Sequence, residues 1–434
     1  MYRKVYDELC QWKDDPGRKP LIVEGARQVG KTWILKEFGA KEFKNMVYVN
    51  CDHNPQTEGL FRDFDTQRIL RVLSAVSGET ITPGETFIFL DEIQEQPFGL
   101  TSLKYFCESA REYHIAAAGS LLGLSVHEGT GFPVGKADEI KMHPMTFGEF
   151  LQAVGKKGMA DLLMQEDPVN VSALGEAFID LLRQYYYVGG MPEAVAEYAD
   201  TQNLKNVRRI QNRIISGYER DFSKHIPAKI LPRVRMVWNA LPSQLAKENK
   251  KFIYGALKKG ARAKEYEKAI DWLKNAGLVC PVTRVNSFTK PLHFYEDPGA
   301  FKLFAVDLGL LGAMAQTDAA DILTRNTGFV EYKGAFTEQY VAQQILSSAP
   351  YKLYYYSRDD ARLEIDFACQ AGNAIAIEVK AEENLRSKSL KSVLAKYPDL
   401  VGWRFSLSGY REEQNITNIP LYLVETWIEK MGEG

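Results

Sequence analysis

The chain has 434 residues, 45% of them hydrophobic, 25% charged and 12% aromatic, with 54 basic and 56 acidic side chains and a formal net charge of −2. That length accommodates two or three domains, and the composition is that of a soluble globular chain. The balanced charge excludes a global electrostatic pull toward nucleic acid, leaving only local basic faces. Five scattered cysteines, Cys10, Cys51, Cys107, Cys280 and Cys369, include no Cys-x-x-Cys pair. A disulfide framework or structural zinc is therefore not expected, and a reducing, cytoplasmic setting is. No apolar run reaches the roughly 18 residues of a spanning helix, and no apolar signal segment follows Met1-Tyr2-Arg3-Lys4-Val5, so no membrane insertion is expected.

Residues 1–18 read as a short helix and a polar approach to a first buried strand, Leu21-Ile22-Val23. Next comes Gly25-Ala26-Arg27-Gln28-Val29-Gly30-Lys31-Thr32, which fills every position of G-x-x-x-x-G-K-[ST] and leads into a helix at Thr32-Trp33-Ile34-Leu35. Glycines let the backbone bend tightly, and successive N–H groups and the helix N-terminus then face an anion. All eight residues are candidate nucleotide contacts. Lys31 is placed to reach β and γ phosphates and Thr32 to hold Mg2+. A second strand is expected over 46–51 and a helix over 66–77, with a turn at Pro83-Gly84.

Thr86-Phe87-Ile88-Phe89-Leu90-Asp91-Glu92 is an apolar strand ending in two carboxylates. Such a continuous run fits a strand buried on both faces. Asp91 is the candidate to hold Mg2+ through water, and Glu92 the candidate to orient and activate the attacking water. The pair favours ATP hydrolysis. A further core strand, Ile115-Ala116-Ala117-Ala118-Gly119-Ser120, ends in a polar tip, and Ile140-Lys141-Met142 closes the sheet. Two roles fit Ser120: a phosphate sensor that positions water, if its strand lies between the two motif strands, or a helix N-cap. These elements predict an α/β nucleotide-binding layer with helices on both faces.

From 174 to 212 the pattern is helical, broken by Gly189-Gly190 and Pro192. Tyr185, Tyr186 and Tyr187 read as core packing in preference to a stacking platform. Residues 224–285 read as short helices. One carries Tyr266, Ile270 and Leu273 at helical spacing, and a hairpin-like wing is expected from 278–280 and 292–295. Together they predict a winged-helix-like module. Its Lys258, Lys259, Lys264 and Lys268 fit either DNA phosphates or a solvated face, and such modules also serve as protein contacts.

Near the end, Leu363-Glu364-Ile365-Asp366-Phe367-Ala368 alternates, placing Glu364 and Asp366 on one face. Gly372-Asn373 makes a turn, and Ala374-Ile375-Ala376-Ile377-Glu378-Val379-Lys380 puts Glu378 and Lys380 on a shared face. If the strands pair, Asp366 and Glu378 approach each other and form a candidate second Mg2+ site. Lys380 then stands ready to activate water or stabilise developing phosphate charge. A surface ion pair between Asp366 and Lys380 accounts for the same residues without chemistry. An acid, a turn and Glu-x-Lys resemble the restriction-endonuclease-like, PD-(D/E)XK-like pattern over about 330–430. The resemblance implies Glu338 as the upstream helical acid.

The first 200 residues resemble prokaryotic AAA-type P-loop ATPases joined to a C-terminal restriction-endonuclease-like domain. The phosphate loop corresponds to Walker A and Leu90-Asp91-Glu92-Ile93-Gln94 to Walker B. Ala118-Gly119-Ser120, Phe132-Pro133-Val134-Gly135-Lys136, His143-Pro144-Met145-Thr146-Phe147-Gly148-Glu149-Phe150 and Gly189-Gly190-Met191-Pro192-Glu193-Ala194-Val195 carry the rest of the likeness. Many members of that class use an arginine from a neighbouring subunit, which implies a homo-oligomer. Arg111 and Lys136 are the basic candidates here, and an ordinary solvated surface charge accounts for either without such a role. The expected organisation is an ATPase core over 1–155, a helical region over 156–223, a winged-helix-like region over 224–325 and an α/β restriction-endonuclease-like domain over 326–434.

The expected function is an ATP-binding, Mg2+-dependent ATPase acting as a molecular switch or motor, with Lys31, Glu92 and Ser120 as its catalytic set. Two alternatives remain open: an ATP-regulated DNA endonuclease using Asp366, Glu378 and Lys380, and a nucleotide-controlled module that binds DNA or protein without cutting.

Overall fold

Five strands make a parallel sheet in the order β2-β3-β4-β1-β5: β1 Leu21–Glu24, β2 Asn45–Asn50, β3 Thr86–Asp91, β4 His114–Gly119 and β5 Asp138–Lys141. Every residue of β3 and β4 is buried, as continuous apolar runs in a parallel sheet require. Helices Val5–Asp14, Lys31–Glu42, Thr66–Ser77 and Gly99–Ser109 accompany the sheet. Asp65 caps the third by accepting from the N–H groups of Gln67 and Arg68, and Gly78, at φ +74°, ends it. Phe38 meets Phe87 edge-on with ring centroids 5.3 Å apart. Each such buried ring contributes roughly 1.5–3 kcal/mol through area removed from water.

The computed structural model describes residues 1–52, 54–119, 131–165, 167–247, 250–323, 330–348, 351–358, 363–382 and 386–432. They fall into two compact units: Met1–His143 with Asn275–Leu278, and Pro144–Lys274 with Val279–Gly434. In the first unit the register Glu24↔Gly119 and Asp91↔Ala118 brings the C-terminal ends of β1, β3 and β4 to one sheet edge. β4 lies between the two motif strands, as the sensor role requires. Ser120 itself falls outside the described residues. Gly277, at φ +71°, lies against the phosphate loop: a Cβ there would stand 3.1 Å from the Ala26 nitrogen.

The second unit combines helices, among them Gly175–Val188, Leu204–His225, Leu231–Leu245 and Val330–Ser348, with an eight-stranded mixed sheet ordered β12-β13-β11-β10-β9-β8-β6-β7. Its strands are β6 Val279–Val285, β7 Glu296–Ala305, β8 Tyr354–Ser357, β9 Glu364–Ala371, β10 Asn373–Val379, β11 Val401–Ser406, β12 Arg411–Glu413 and β13 Ile416–Pro420. β6 and β7 pair antiparallel, but the second arm expected for the wing, 292–295, is a 3-10 turn ahead of β7, and β6 also pairs parallel to β8 through Thr283↔Tyr354. The hairpin found is thus one end of the large sheet in place of a separate wing, and that sheet runs across the boundary expected at 326. The reason is apolar surface. Ala300–Ala305 is buried without interruption, whereas a wing leaves one face to water. No helix among the described residues is long and apolar enough to cross a membrane.

Two of the motifs meet in this unit. The Met145 N–H donates to the Gly190 carbonyl at 2.7 Å, and the Gly190 N–H donates to Asp307 Oδ2 at 2.6 Å. Tyr185 donates its hydroxyl to the Met145 carbonyl at 2.6 Å. Thr146 and Glu149 form a reciprocal capping box, and Gln344 Oε1 accepts from the Phe147 N–H. A Cβ on Gly190 would lie 2.3 Å from the Met145 oxygen. The Gly-Gly-Met-Pro string is a packing joint, and Tyr185, Tyr186 and Tyr187 are buried in it.

Candidate functional site

The phosphate loop follows β1 at the sheet edge where strand C-termini gather, the usual ligand side of a parallel sheet. Gly25 has φ +149°, and a Cβ there would lie 2.3 Å from the Met142 carbonyl oxygen. Only glycine fits. Gly30, at φ +96°, delivers the chain into the helix Lys31–Glu42, whose N-terminal N–H groups point into the bend. Arg3, buried, donates to the carbonyls of Val29 at 2.9 Å and His143 at 2.7 Å and braces the loop from outside.

Lys31 lies along the loop, its ammonium donating to the carbonyls of Gly25 at 2.7 Å and Ala26 at 2.8 Å. Burial pushes its pKa down to about 8 against the opposing pull of Glu92 and Asp91. Thr32 donates its hydroxyl to Asp91 Oδ2 at 2.8 Å, and Tyr48 donates to the same oxygen at 3.3 Å. Burial raises the Asp91 pKa, partly countered by the Thr32 hydrogen bond. Glu92 sits in the left-handed region at φ +50°. That conformation ends β3 and breaks the alternation that would send adjacent carboxylates to opposite faces. Gln94 donates its amide to Glu92 Oε2 at 2.5 Å.

Of the residues anticipated from the motifs, Lys31, Thr32, Asp91 and Glu92 are brought together. Thr32 and Asp91 supply hard oxygen donors in contact with each other, a set suited to Mg2+. Arg3, Tyr48 and Gln94 were not anticipated. For Tyr48 a signal existed, a phenol within an otherwise apolar strand, whereas Arg3 lies far from the loop in sequence. Arg111 donates to the carbonyls of Gly17 at 2.9 Å and Arg18 at 3.4 Å, near the N-terminal end of β4 and away from this edge. Lys136 pairs with Glu108 at 3.1 Å.

In the second unit β9 and β10 pair as expected around Gly372, with Phe367 opposite Ile377. Asp366 Oδ2 accepts from the Val379 N–H at 2.8 Å. Cations already fill the surroundings. Lys302, fully buried, stands 2.6 Å from Glu364 Oε1 and 3.5 Å from Glu338 Oε2. Lys250 pairs with the other oxygen of Glu338, and Lys380 pairs with Glu378 at 3.0 Å. Burial works against the charge of Glu338, but Lys302 and Lys250 outweigh it and lower its pKa. Asp366 is pushed the other way, well above the usual carboxylate range, by burial and then by the charge of Glu338. Among the described residues no three His, Cys, Asp or Glu side chains are grouped to hold a metal. Glu338, Asp366 and Glu378 are not gathered into a second Mg2+ site. An ammonium group, that of Lys302, lies among the acids instead.

Three family models match separate stretches. Residues 17–151 match one described as AAA domain, 179–321 one described as Domain of unknown function (DUF8612), and 333–423 one described as Domain of unknown function (DUF4143). No curated protein matches the chain. Among solved structures, the Walker-type ATPase paby2304 of Pyrococcus abyssi is 15% identical, with 72% of this chain and 95% of that chain covered and a TM-score of 0.47. The ORC1 protein of Aeropyrum pernix in complex with DNA is 14% identical, covering 72% of this chain and 91% of that chain at a TM-score of 0.28. A RuvB variant of Thermotoga maritima is 12% identical, covering 64% and 88% at 0.30. The phosphate-loop and acid motifs, the parallel sheet that carries them and the AAA domain match coincide, and residues 17–151 are a P-loop AAA-type ATPase core.

Proposed function

We propose that the chain is a Mg2+-dependent ATP hydrolase, working as a nucleotide-driven switch whose second unit recognises a protein or DNA partner without cutting it. The observation that carries this is the convergence of Lys31, the Thr32–Asp91 pair and Glu92 at one sheet edge. Thr32 and Asp91 are the residues that would hold Mg2+, and the ion when bound supplies charge neutralisation for the phosphates. Lys31 exchanges its two carbonyl acceptors for phosphate oxygens, a trade of neutral partners for anionic ones that strengthens each bond. The loop N–H groups and helix N-terminus fix the triphosphate in line for attack. Glu92 accepts a proton as water attacks the γ-phosphorus, the bond to the β-bridging oxygen breaks, and ADP and phosphate leave.

The non-cutting role of the second unit rests on Lys302. With Lys250 and Lys380 it places a cation against each of Glu338, Glu364 and Glu378. A winged-helix-like surface and DNA contact by Lys258, Lys259, Lys264 and Lys268 find no further support.

The test is the Glu92→Gln variant. It is expected to bind ATP as the unaltered protein does and to lose at least about 100-fold in turnover, the scale of a removed general base. Equal turnover in the two proteins would overturn the assignment.

A further inference from the structure

We propose that the exposed face of the helix Leu204–His225 is a docking surface for the phosphates of duplex DNA, gripped without regard to base sequence. The inference rests on the reading of the second unit as a partner-recognising element and goes beyond it by naming the partner and the surface.

The helix carries six Lys or Arg side chains against two acids, Glu219 and Asp221, in a chain whose net charge is −2. Its apolar residues Val207, Ile210, Ile214, Tyr218 and Phe222 are buried. Lys205, Arg209, Arg213, Arg220 and Lys224 are all exposed, and every other exposed position on the helix is Asn or Ser. At 3.6 residues per turn these five cations share an arc of about 100°, opposite the apolar side. With a rise of about 1.5 Å per residue, the row from Lys205 to Lys224 is about 28 Å long. Arg235, on the helix Leu231–Leu245, donates to Ser223 Oγ at 2.8 Å and so joins the far end of the row.

The charges of this row are left uncompensated. Among the described residues, Lys205, Arg209, Arg220 and Lys224 have no carboxylate within ion-pair distance, and Arg213 alone is paired, with Glu193. Lys205, Arg209 and Arg213 follow one another at four-residue spacing, as do Arg220 and Lys224, so like charges repel along the helix. An anion laid over the row relieves that repulsion. Two contrasts set the row apart. Arg208, on another side of the same helix, donates to the Thr317 carbonyl at 3.1 Å and lies over the Tyr187 ring, 4.5 Å from its centroid, as a packing residue does. On the helix Ala263–Asn275, Lys264 and Lys268 are interspersed with Glu265 and Glu267, an ordinary mixed surface.

The donors indicate the partner. Lys, Arg, Asn and Ser are the side chains that hold phosphate oxygens. The row is straight and stiff, and so is a duplex, whose persistence length is about 50 nm. The B-form major groove, about 12 Å wide, admits an α-helix, whereas the A-form groove of RNA is too narrow. A single strand calls for an exposed aromatic platform, but Tyr218 and Phe222 are buried. A helix that lies in a membrane surface inserts its apolar face, and here that face is in the core.

The experiment measures binding of the unaltered chain to a fluorescently labelled mixed-sequence DNA duplex over a range of NaCl concentrations. Four unpaired cations predict a slope of log K against log [NaCl] of about −3.6. Arg209→Gln with Arg220→Gln is expected to make the slope shallower by about 1.8 and to weaken binding at least about 10-fold on every sequence tried. Arg209→Lys with Arg220→Lys keeps the charge and should keep the slope. Lys264→Gln with Lys268→Gln removes the same charge elsewhere and should bind within about 2-fold of the unaltered chain. Circular dichroism checks folding. If the paired Gln variant does not fold, Lys224→Gln decides, with a slope shallower by about 0.9. No duplex binding at low salt, an unchanged slope in the Gln variants, an equal loss in the Lys264 and Lys268 pair, or tighter binding to an RNA duplex or to phosphatidylserine vesicles overturns the proposal. ATP turnover is measured separately without DNA. Turnover without duplex binding overturns the surface and keeps the ATPase reading; duplex binding without turnover does the reverse.

Discussion

Replacing Lys302 by methionine tests how the second unit holds its acids together. Methionine keeps the apolar stem that crosses the Tyr355 ring, whose centroid is 5.1 Å from the ammonium, and removes only the charge. Glu364 then loses its partner at 2.6 Å, and Glu338 keeps Lys250 alone. Breaking a buried pair by deleting one member costs about 3–5 kcal/mol, because the remaining charge stays uncompensated. Glu364 is 23% exposed and can recover some solvation, which places the expected loss at the low end, about 3 kcal/mol. That is a factor of about 150 in the opening equilibrium. Hydrogen exchange of peptides from β9 and β10 reads it directly. The loss should be largest at pH 8 and should shrink toward pH 5.5, where Asp366, whose pKa burial raises, takes up a proton and relieves the excess negative charge. Acceleration below about fivefold at pH 8, or the same acceleration at both pH values, would refute the account of an ammonium closing the cluster.

Other expectations are as direct. Lys31 has a folded pKa of about 8, below its free value of about 10.4. A depressed folded pKa contributes stability above the free value that is lost as pH falls through about 8. Phosphate contact restores the charged form, so ATP binding at pH 8 should take up about half a proton. Titration calorimetry in buffers of different ionisation enthalpy measures this uptake, and Lys31→Met should abolish it. Gly190→Ala places a methyl 2.3 Å from the Met145 oxygen and 2.8 Å from its nitrogen, both backbone atoms that cannot rotate away. It should destabilise by about 3 kcal/mol or more in urea unfolding, at the upper range of single substitutions. Gly158→Ala meets nothing within 4 Å in its helix and should be neutral or stabilising by about 0.5–1 kcal/mol.

The first unit was legible because its signals are local. β3 is one apolar run ending in Asp91, and the loop before Lys31 carries its geometry in its glycines. The helix Thr66–Ser77 lies where the residue pattern places it. The second unit was less so, because the partner that decides the role of β6 is β8, joined to it by Thr283↔Tyr354 from distant parts of the chain. A hairpin and a sheet end look alike until that pairing is known. Lys302 did leave a trace: a lone charge inside the apolar run Phe301-Lys302-Leu303-Phe304 must meet a carboxylate. Which carboxylates it meets depends on Glu338, Glu364 and the fold between them. Gln94 stood within a quoted motif, yet its contact with Glu92 depends on the orientation of one amide, which residue type does not encode.

The short stretch Asn275–Leu278 belongs to the first unit although the chain on either side of it belongs to the second. A fragment ending at His143 would carry the phosphate-loop and acid motifs and still lack Gly277, the residue whose backbone lies against Ala26. The polypeptide passes between the units at His143–Pro144, Lys274–Asn275 and Leu278–Val279. Dissection of this protein by simple truncation would therefore strip the nucleotide loop of a neighbour. A faithful minimal fragment needs that four-residue graft restored.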